Sequence, residues 1–348
     1  VRTVVAIYVI NLGYGFEATG VPLREYRFVS RMLSAEDGAE IAPVGGGNRF
    51  ATKWWSGVPI PLPKNYVLGI DVQRADFENP LRPSYLRGEF APDGWWYYYL
   101  YAIAIKVPLG TWLLLALAFA TRISRPQMVP LRDELALLFP AAVILVFVSS
   151  QTGLSEHVRY ALPVFPYVFV WIGAFAARLG RHRPILTGMA LFALSWSLAS
   201  SIWIFPHSLS YFNELVGGPT GGPNHLIHSN IDWGQDLLIL ERWLDRHSQA
   251  RPMKVAYFGY FDPRHVGLKF SIPRDLNGGV GQYKSVDTIP PSWYAISVNL
   301  VYGLPHFLYA PDGSRMILET NSLAAFQKLK PVSTAGYSIY IYDLAGAK

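Results

Sequence analysis

There is no cysteine anywhere in the 348 residues, which removes disulfides, thiolate metal sites and cysteine nucleophiles together while leaving the compartment open. Charge is also scarce. Asp, Glu, Lys and Arg make up 16% of the chain against 51% hydrophobic residues, a balance too apolar for an ordinary soluble protein and expected of a membrane class. The formal charge of +6 raises the question of nucleic acid, but the arginines bunch beside apolar tracts and form no stripe interleaved with aromatics. No nucleic-acid partner is expected. The first apolar stretch, residues 3–16, is short and lacks a small-residue cleavage site, so it does not read as a signal peptide. It reads as the end of a spanning helix whose beginning lies upstream of Val1.

What is present is a series of long apolar tracts. Residues 184–206 carry no charge over a length that exceeds the ~20 residues needed to cross a bilayer core. Further candidate spans are 96–121, 135–154 and 160–177, so that with the first tract the chain is expected to hold about five spanning helices. Arginines crowd the connectors 122–134 and 178–183, which places both in the cytoplasm by the positive-inside rule. The segments 17–94 and 207–348 are then outside. The first of these, with its glycine-rich stretch 44–47 and alternating prolines over 58–66, is expected to be a large loop with extended, polyproline-like backbone.

Beyond His207 the pattern changes to that of a small α/β unit. An amphipathic helix is expected over 235–246, with Leu237, Leu240 and Leu244 on one face, strands over 254–258, 293–298 and 338–343, and a helix near 322–329. The fold class is therefore a polytopic α-helical membrane protein with a C-terminal extracytoplasmic α/β domain. Its divisions are 1–16, 17–94, 95–206 and 207–348.

Two cations stand out. Lys106 precedes Arg122 by sixteen residues of the expected helix, or ~24 Å of rise, and Arg159 precedes Arg178 by nineteen residues, or ~28 Å, which puts both near the outer interface. Snorkelling to head groups is one reading of them. The other is a shared pocket for a lipid phosphate, built by Lys106 and Arg159 with His157 and Tyr160.

The string 206–237 concentrates polar side chains, and Asn213, Glu214, Asn230, Asp232, Trp233, Gln235 and Asp236 are its candidate acceptor-side or structural junction residues. Asp232 with Gln235 three later has capping-box-like spacing. Asn230, Asp232 and Asp236 are oxygen ligands in type, and His225 and His228 are nitrogen ligands, yet none has the spacing of a metal site. No metal is expected, and the two histidines read as surface residues. Glycines 217, 218, 221 and 222 suit a flexible turn, without the context of a phosphate loop.

The strings YFNELVGGP at 211–219 and SNIDWGQDL at 229–237 resemble the junction in bacterial membrane glycosyltransferases related to protein O-mannosyltransferases and aminoarabinose transferases. The likeness extends to GWWYYYLYAIAIKVPLG at 94–110, HVRYALPVFP at 157–166 and AGYSIYIYDL at 335–344, with His228 standing where that family has an Asp. The resemblance implies an inner-membrane enzyme of a bacterium that moves a sugar from a polyprenyl-phosphate carrier to a glycan, lipid or protein acceptor on the outer face. It implies no cofactor beyond that donor. Lys106 and Arg159 would neutralise charge on the leaving phosphate. The acceptor-activating acid of such enzymes belongs to a first outer loop, which is expected upstream of Val1, so this chain is expected to lack the catalytic carboxylate. Two other classes fit a basic membrane face: a transporter or flippase of a lipid-linked saccharide, and a non-catalytic anchor whose α/β domain binds a partner.

Overall fold

The computed structural model describes residues 2–35, 45–78, 83–124, 130–151, 155–174, 176, 179, 183–274, 281–283 and 285–346. The chain forms two compact units, Val1–Pro83 and Ser84–Lys348. Each has its own logic.

In the first unit, helix α1 (Arg2–Gly13) takes up most of the first apolar tract, and α2 (Arg31–Ser34) is a single turn. The proline run is extended as expected, since Leu23 N–H donates to Val58 O and Ile60 N–H donates to Val21 O, both at 3.1 Å. The expected loop also contains a helix, however: α3 (Lys64–Glu78). It fits between Pro63 and Pro80, because proline is tolerated at a helix start and beyond its end but not inside. Asp71 and Glu78 are seven residues apart and so share one face of α3. The buried Asp71 carboxylate accepts from Val29 N–H (2.6 Å) and Ser30 N–H (3.0 Å), while Glu78 accepts from Arg31 N–H and from Met32 N–H (3.0 Å). These are the amides at the start of α2, which have no partner within that helix.

The second unit opens with a hairpin of β1 (Ser84–Leu86) and β2 (Glu89–Ala91), followed by α4 (Tyr98–Lys106), α5 (Leu109–Ser124), α6 (Leu131–Ser150), α7 (Phe165–Ala174) and α8 (Pro184–Ile204). The expected boundaries at 94/95 and 206/207 are not boundaries of packing. Leu86 of the hairpin, Tyr98 and Tyr99 of α4, Phe212 and Val298 all belong to one buried cluster, so helices and C-terminal domain share a core.

The expected span 96–121 is broken. α4 and α5 meet at 107°. Pro108 has no N–H to continue the ladder and drives the preceding Val107 into extended backbone, φ −94° and ψ 135°. Residues 160–177 likewise begin as a 3-10 helix, Val158–Val164, before α7. The depth arithmetic for Lys106 and Arg159 assumed continuous α-helix and so does not hold, since a 3-10 turn rises ~2.0 Å per residue instead of ~1.5 Å. Arg178 and most of the second arginine connector lie outside the described residues.

Among the described residues Pro184–Ile204 is the helix long and apolar enough to cross a bilayer, and the bent α4–α5 pair passes that measure only when taken together. α6 opens on Arg132, Asp133 and Glu134, which shortens its apolar part. Among the described residues the architecture is thus a mixed helix-and-sheet one with fewer span-length helices than the five expected.

α5 and α8 pack closely. A Cβ on Gly110 would come 2.2 Å from Ala193 O and 2.7 Å from Ser197 N, and Thr111 Oγ1 lies 3.0 Å from Ser197 Oγ. Small residues let two backbones approach in this way.

After the turn helix α9 (Gly218–Gly221) comes α10 (Leu237–Arg246), then β3 (Met253–Ala256), β4 (Trp293–Ser297), α11 (Val298–Val301), β5 (His306–Tyr309), β6 (Arg315–Leu318), β7 (Ser333–Ala335) and β8 (Ile339–Asp343). The three expected strands are neighbours in one sheet of order β3-β4-β8-β7, parallel between β3 and β4 and antiparallel elsewhere. Both faces are buried, which explains the apolar alternation on each side of β8. Ile339 and Ile341 pack with Leu237, Leu240 and Leu244 of α10, while Tyr342 packs with Tyr294 and Phe326 on the other face. The helix expected near 322–329 is a short 3-10 turn, Ala324–Lys328, and the hairpin β5–β6 forms a separate two-stranded sheet.

Candidate functional site

The junction string and the 3-10 segment after α6 are brought together through Asn230. Its side-chain nitrogen lies 2.8 Å from Glu156 O, 2.7 Å from Ile227 O and 3.0 Å from Tyr98 Oη, and its Oδ1 accepts from Val158 N–H at 2.9 Å. The main-chain oxygen of the same residue accepts from Lys106 Nζ at 2.5 Å, and Leu209 O accepts from that ammonium at 2.8 Å. The Phe212 ring lies 4.2 Å from Nζ. Lys106 therefore ends α4 by clasping two carbonyls of the junction. A cation whose protons are held by protein carbonyls has less to offer a ligand phosphate.

Arg159 has different company. Its guanidinium lies 5.4 Å from the Tyr160 ring and 5.5 Å from the Trp233 ring, and it is exposed at the surface with no carboxylate partner among the described residues. Trp233, 43% exposed, continues toward Phe258 and Tyr260. The structure thus joins His157, Arg159, Tyr160 and Trp233 into one group. Lys106 reaches that group only through Asn230.

Against the same Tyr160 and Trp233 rings lies a chain of three buried side chains. Ser229 Oγ is 2.6 Å from His157 Nδ1, and His157 Nε2 is 3.4 Å from Glu156 Oε2. An imidazole bridged by a hydroxyl and a carboxylate can take a proton from one side while the acid steadies the charge that forms. The His157 ring is also edge-on to Tyr160 at 5.5 Å, His228 at 5.9 Å and Trp233 at 5.8 Å. Of this group the sequence singled out His157. Ser229 and Tyr98 lie within the strings 229–237 and 94–110 that carry the resemblance, but neither was a candidate site residue.

The two histidines read as surface residues are not at the surface. His228 is buried and adopts φ 63°, a left-handed conformation uncommon for a residue with a Cβ, with its N–H held by Asn299 Oδ1 at 2.8 Å. His225 is half-buried, its Nδ1 2.5 Å from Tyr101 Oη, and burial lowers its pKa, with Arg87 adding to the effect. Among the described residues no three histidine, aspartate or glutamate side chains gather as a metal site would need.

The capping spacing of Asp232 and Gln235 also resolves differently. α10 begins only at Leu237, so Asp232 turns the chain instead of capping the helix: its Oδ1 accepts from Gly234 N–H at 2.9 Å, and Gln235 Oε1 accepts from Trp233 N–H at 2.7 Å. Gly234 is required there, having φ 83° and a hypothetical Cβ only 2.2 Å from Tyr257 Oη. Among the described residues no hydrogen bond of full geometry reaches the buried Asp232 Oδ2, although the Ser297 and Ser338 hydroxyls are close enough to act on it. Burial pushes this carboxyl up to about 8, and the Asp236 charge adds to the rise, against the opposing pull of Gly234 N–H and the Ser297 and Ser338 hydroxyls.

Asp236 stands at the N-cap position yet makes no cap bond to α10. Its Oδ2 accepts from Ser338 Oγ (2.8 Å), Ser338 N–H (3.1 Å) and Tyr337 N–H (3.2 Å), and its Oδ1 lies 3.3 Å from His207 Nδ1. It pins the entry of β8 to the junction. Asn213 is a turn former of the same kind, with Nδ2 donating to Ala104 O and Val107 O and Oδ1 accepting from Leu215 N–H. Glu214 lies apart, its Oε1 accepting from Trp196 Nε1 at 3.1 Å.

Compared with protein-family models, with curated proteins and with solved structures, the chain matches none.

Proposed function

We propose that this chain belongs to a bacterial inner-membrane glycosyltransferase that takes a sugar from a polyprenyl-phosphate carrier and acts on the extracytoplasmic face. The observation that carries this reading is Arg159, an exposed guanidinium with no acidic partner among the described residues, flanked by the Tyr160 and Trp233 rings that also meet His157. A planar fork of donors suits a phosphate, and flanking rings suit the apolar faces of a sugar or isoprenyl unit. In this reading Arg159 holds the donor phosphate, Lys106 fixes the floor through Asn230, and His157 relays a proton near the leaving group.

The polytopic topology belongs to the same proposal. It is supported by the apolar side chains that α5, α6, α7 and α8 expose, including Phe119, Phe139, Phe147, Val170, Leu194 and Ile202, each more than half accessible. A belt of that kind needs a bilayer or a partner to cover it.

The test is binding of polyprenyl phosphate to the full chain in lipid nanodiscs. Replacing Arg159 by Ala is expected to weaken binding about tenfold to a hundredfold, the loss of one charge-assisted contact. Unchanged affinity in that variant would defeat the reading.

A further inference from the structure

Beside the outer part of α8 lies a cavity of about 610 Å³ that neither Lys106 nor the Arg159 group lines. Its walls include Trp196, Trp203, Tyr211 and Phe212, with the Glu214 carboxylate among them. Trp196 Nε1 donates to Glu214 Oε1 at 3.1 Å, which fixes the carboxylate. Among the described residues Glu214 has no basic partner. The Tyr211 hydroxyl is buried, and among the described residues the Ser200 hydroxyl is the polar group close enough to act on it.

Three features favour a cation here. Aromatic faces attract positive charge through the ring quadrupole, most strongly for tryptophan. The exposed Glu214 carboxylate, held on one side by Trp196 Nε1, offers a cation a negative partner. The cavity also adjoins the C-terminal turn of a 21-residue helix, where unsatisfied carbonyls carry partial negative charge. The Lys106 ammonium beyond Phe212 does not satisfy the site, because its protons are held by Leu209 O and Asn230 O.

The occupant is argued from what surrounds the cavity. Leu198, Ile202 and Trp203 of α8 are all exposed, by 58%, 66% and 65%, so the mouth opens along an apolar surface that a lipid chain covers more readily than a soluble amine would. We propose that this cavity seats the ammonium head group of a zwitterionic aminolipid such as phosphatidylethanolamine, with its chains along α8. The ammonium would donate to Glu214 and to Tyr211 Oη while Trp196 and Trp203 cover it. The inference rests on α8 lying in a bilayer and is independent of the sugar-transfer reading.

The test uses the full chain in phosphatidylglycerol nanodiscs with and without phosphatidylethanolamine, reading retained lipids by native mass spectrometry and stability by thermal unfolding. Wild type is expected to retain phosphatidylethanolamine over phosphatidylglycerol and to be stabilised by it, and Glu214→Gln and Trp203→Leu are each expected to lower that preference about tenfold. Both residues are accessible, so the variants keep the fold. Equal retention of the two lipids, or a preference that survives both substitutions, overturns the proposal. Stabilisation by free ethanolamine in the absence of any lipid preference overturns the assignment to a lipid. Because polyprenyl phosphate binding is measured at Arg159, failure here leaves that measurement standing.

Discussion

Lys106 Nζ and the main-chain oxygen of Asn230 are 2.5 Å apart, so one hydrogen bond ties the last residue of α4 to the strand of junction that also holds Val158 and Glu156. A basic residue in an apolar tract thereby becomes a clasp between two parts of the unit. In the proposed reading the phosphate-binding role that its charge suggested falls to Arg159 instead.

Removing the clasp is expected to loosen the fold before it affects a ligand. Lys106→Met keeps the apolar stem against Phe212 but leaves the Leu209 and Asn230 carbonyls without this donor, a cost of about 1–3 kcal/mol. Asn230→Ala removes the partner of Val158 N–H and of Glu156 O together and is expected to cost at least as much. Urea unfolding in detergent measures both, and wild-type midpoints would show that the carbonyls find other donors.

Asp232 makes stability depend on pH. Its folded pKa of about 8 lies above the usual 3.8, so the contribution is fully present below pH 3.8 and is lost as pH rises through 8. The thermal midpoint is expected to fall between pH 5 and pH 9. Asp232→Asn is expected to flatten that fall and to be the more stable protein above pH 8. A variant with an unaltered pH profile would show that the carboxyl is not the group responsible.

Gly110 tests the α5–α8 contact. Replacement by Val puts methyl groups where a Cβ alone already meets Ala193 O at 2.2 Å, and the helices must part, at a cost of about 3 kcal/mol. The same change at Gly173, where a Cβ meets nothing within 4 Å, is the control and is expected to change little by crowding. Comparing the two by thermal unfolding separates packing from helix propensity.

His157→Ala and Ser229→Ala are expected to leave polyprenyl phosphate binding near wild type, since neither side chain is the flanked guanidinium. If the proposed sugar transfer is assayed, His157→Ala is expected to lower turnover about 10²–10⁴-fold with a changed pH profile, as for the loss of a proton-relaying group. A loss of binding equal to that of Arg159→Ala would instead make His157 part of the phosphate site.

The topology is open to direct labelling, because the chain has no native cysteine. In intact cells a cysteine placed at Lys328 is expected to react with an impermeant reagent, and one at Ser124 is expected to be protected. The reverse pattern would invert the proposed orientation.

By itself the sequence determined the sheet and its helix, because period-two and period-3.6 patterns are local consequences of which faces are buried. Val255, Ile296 and Ile339 do meet in one sheet, and Leu237, Leu240 and Leu244 do cover it. The apolar tracts were equally legible as composition. Their continuity was not, since Pro108 was visible but the 107° turn it permits depends on what α4 and α5 each pack against. The site was decided by tertiary structure for the same reason. Ser229, His157 and Tyr98 are far apart along the chain, and the long-range bonds of Asn230 together with the Ser229–His157 contact bring them together, while the sequence showed that the junction was polar without showing which side chains would turn inward.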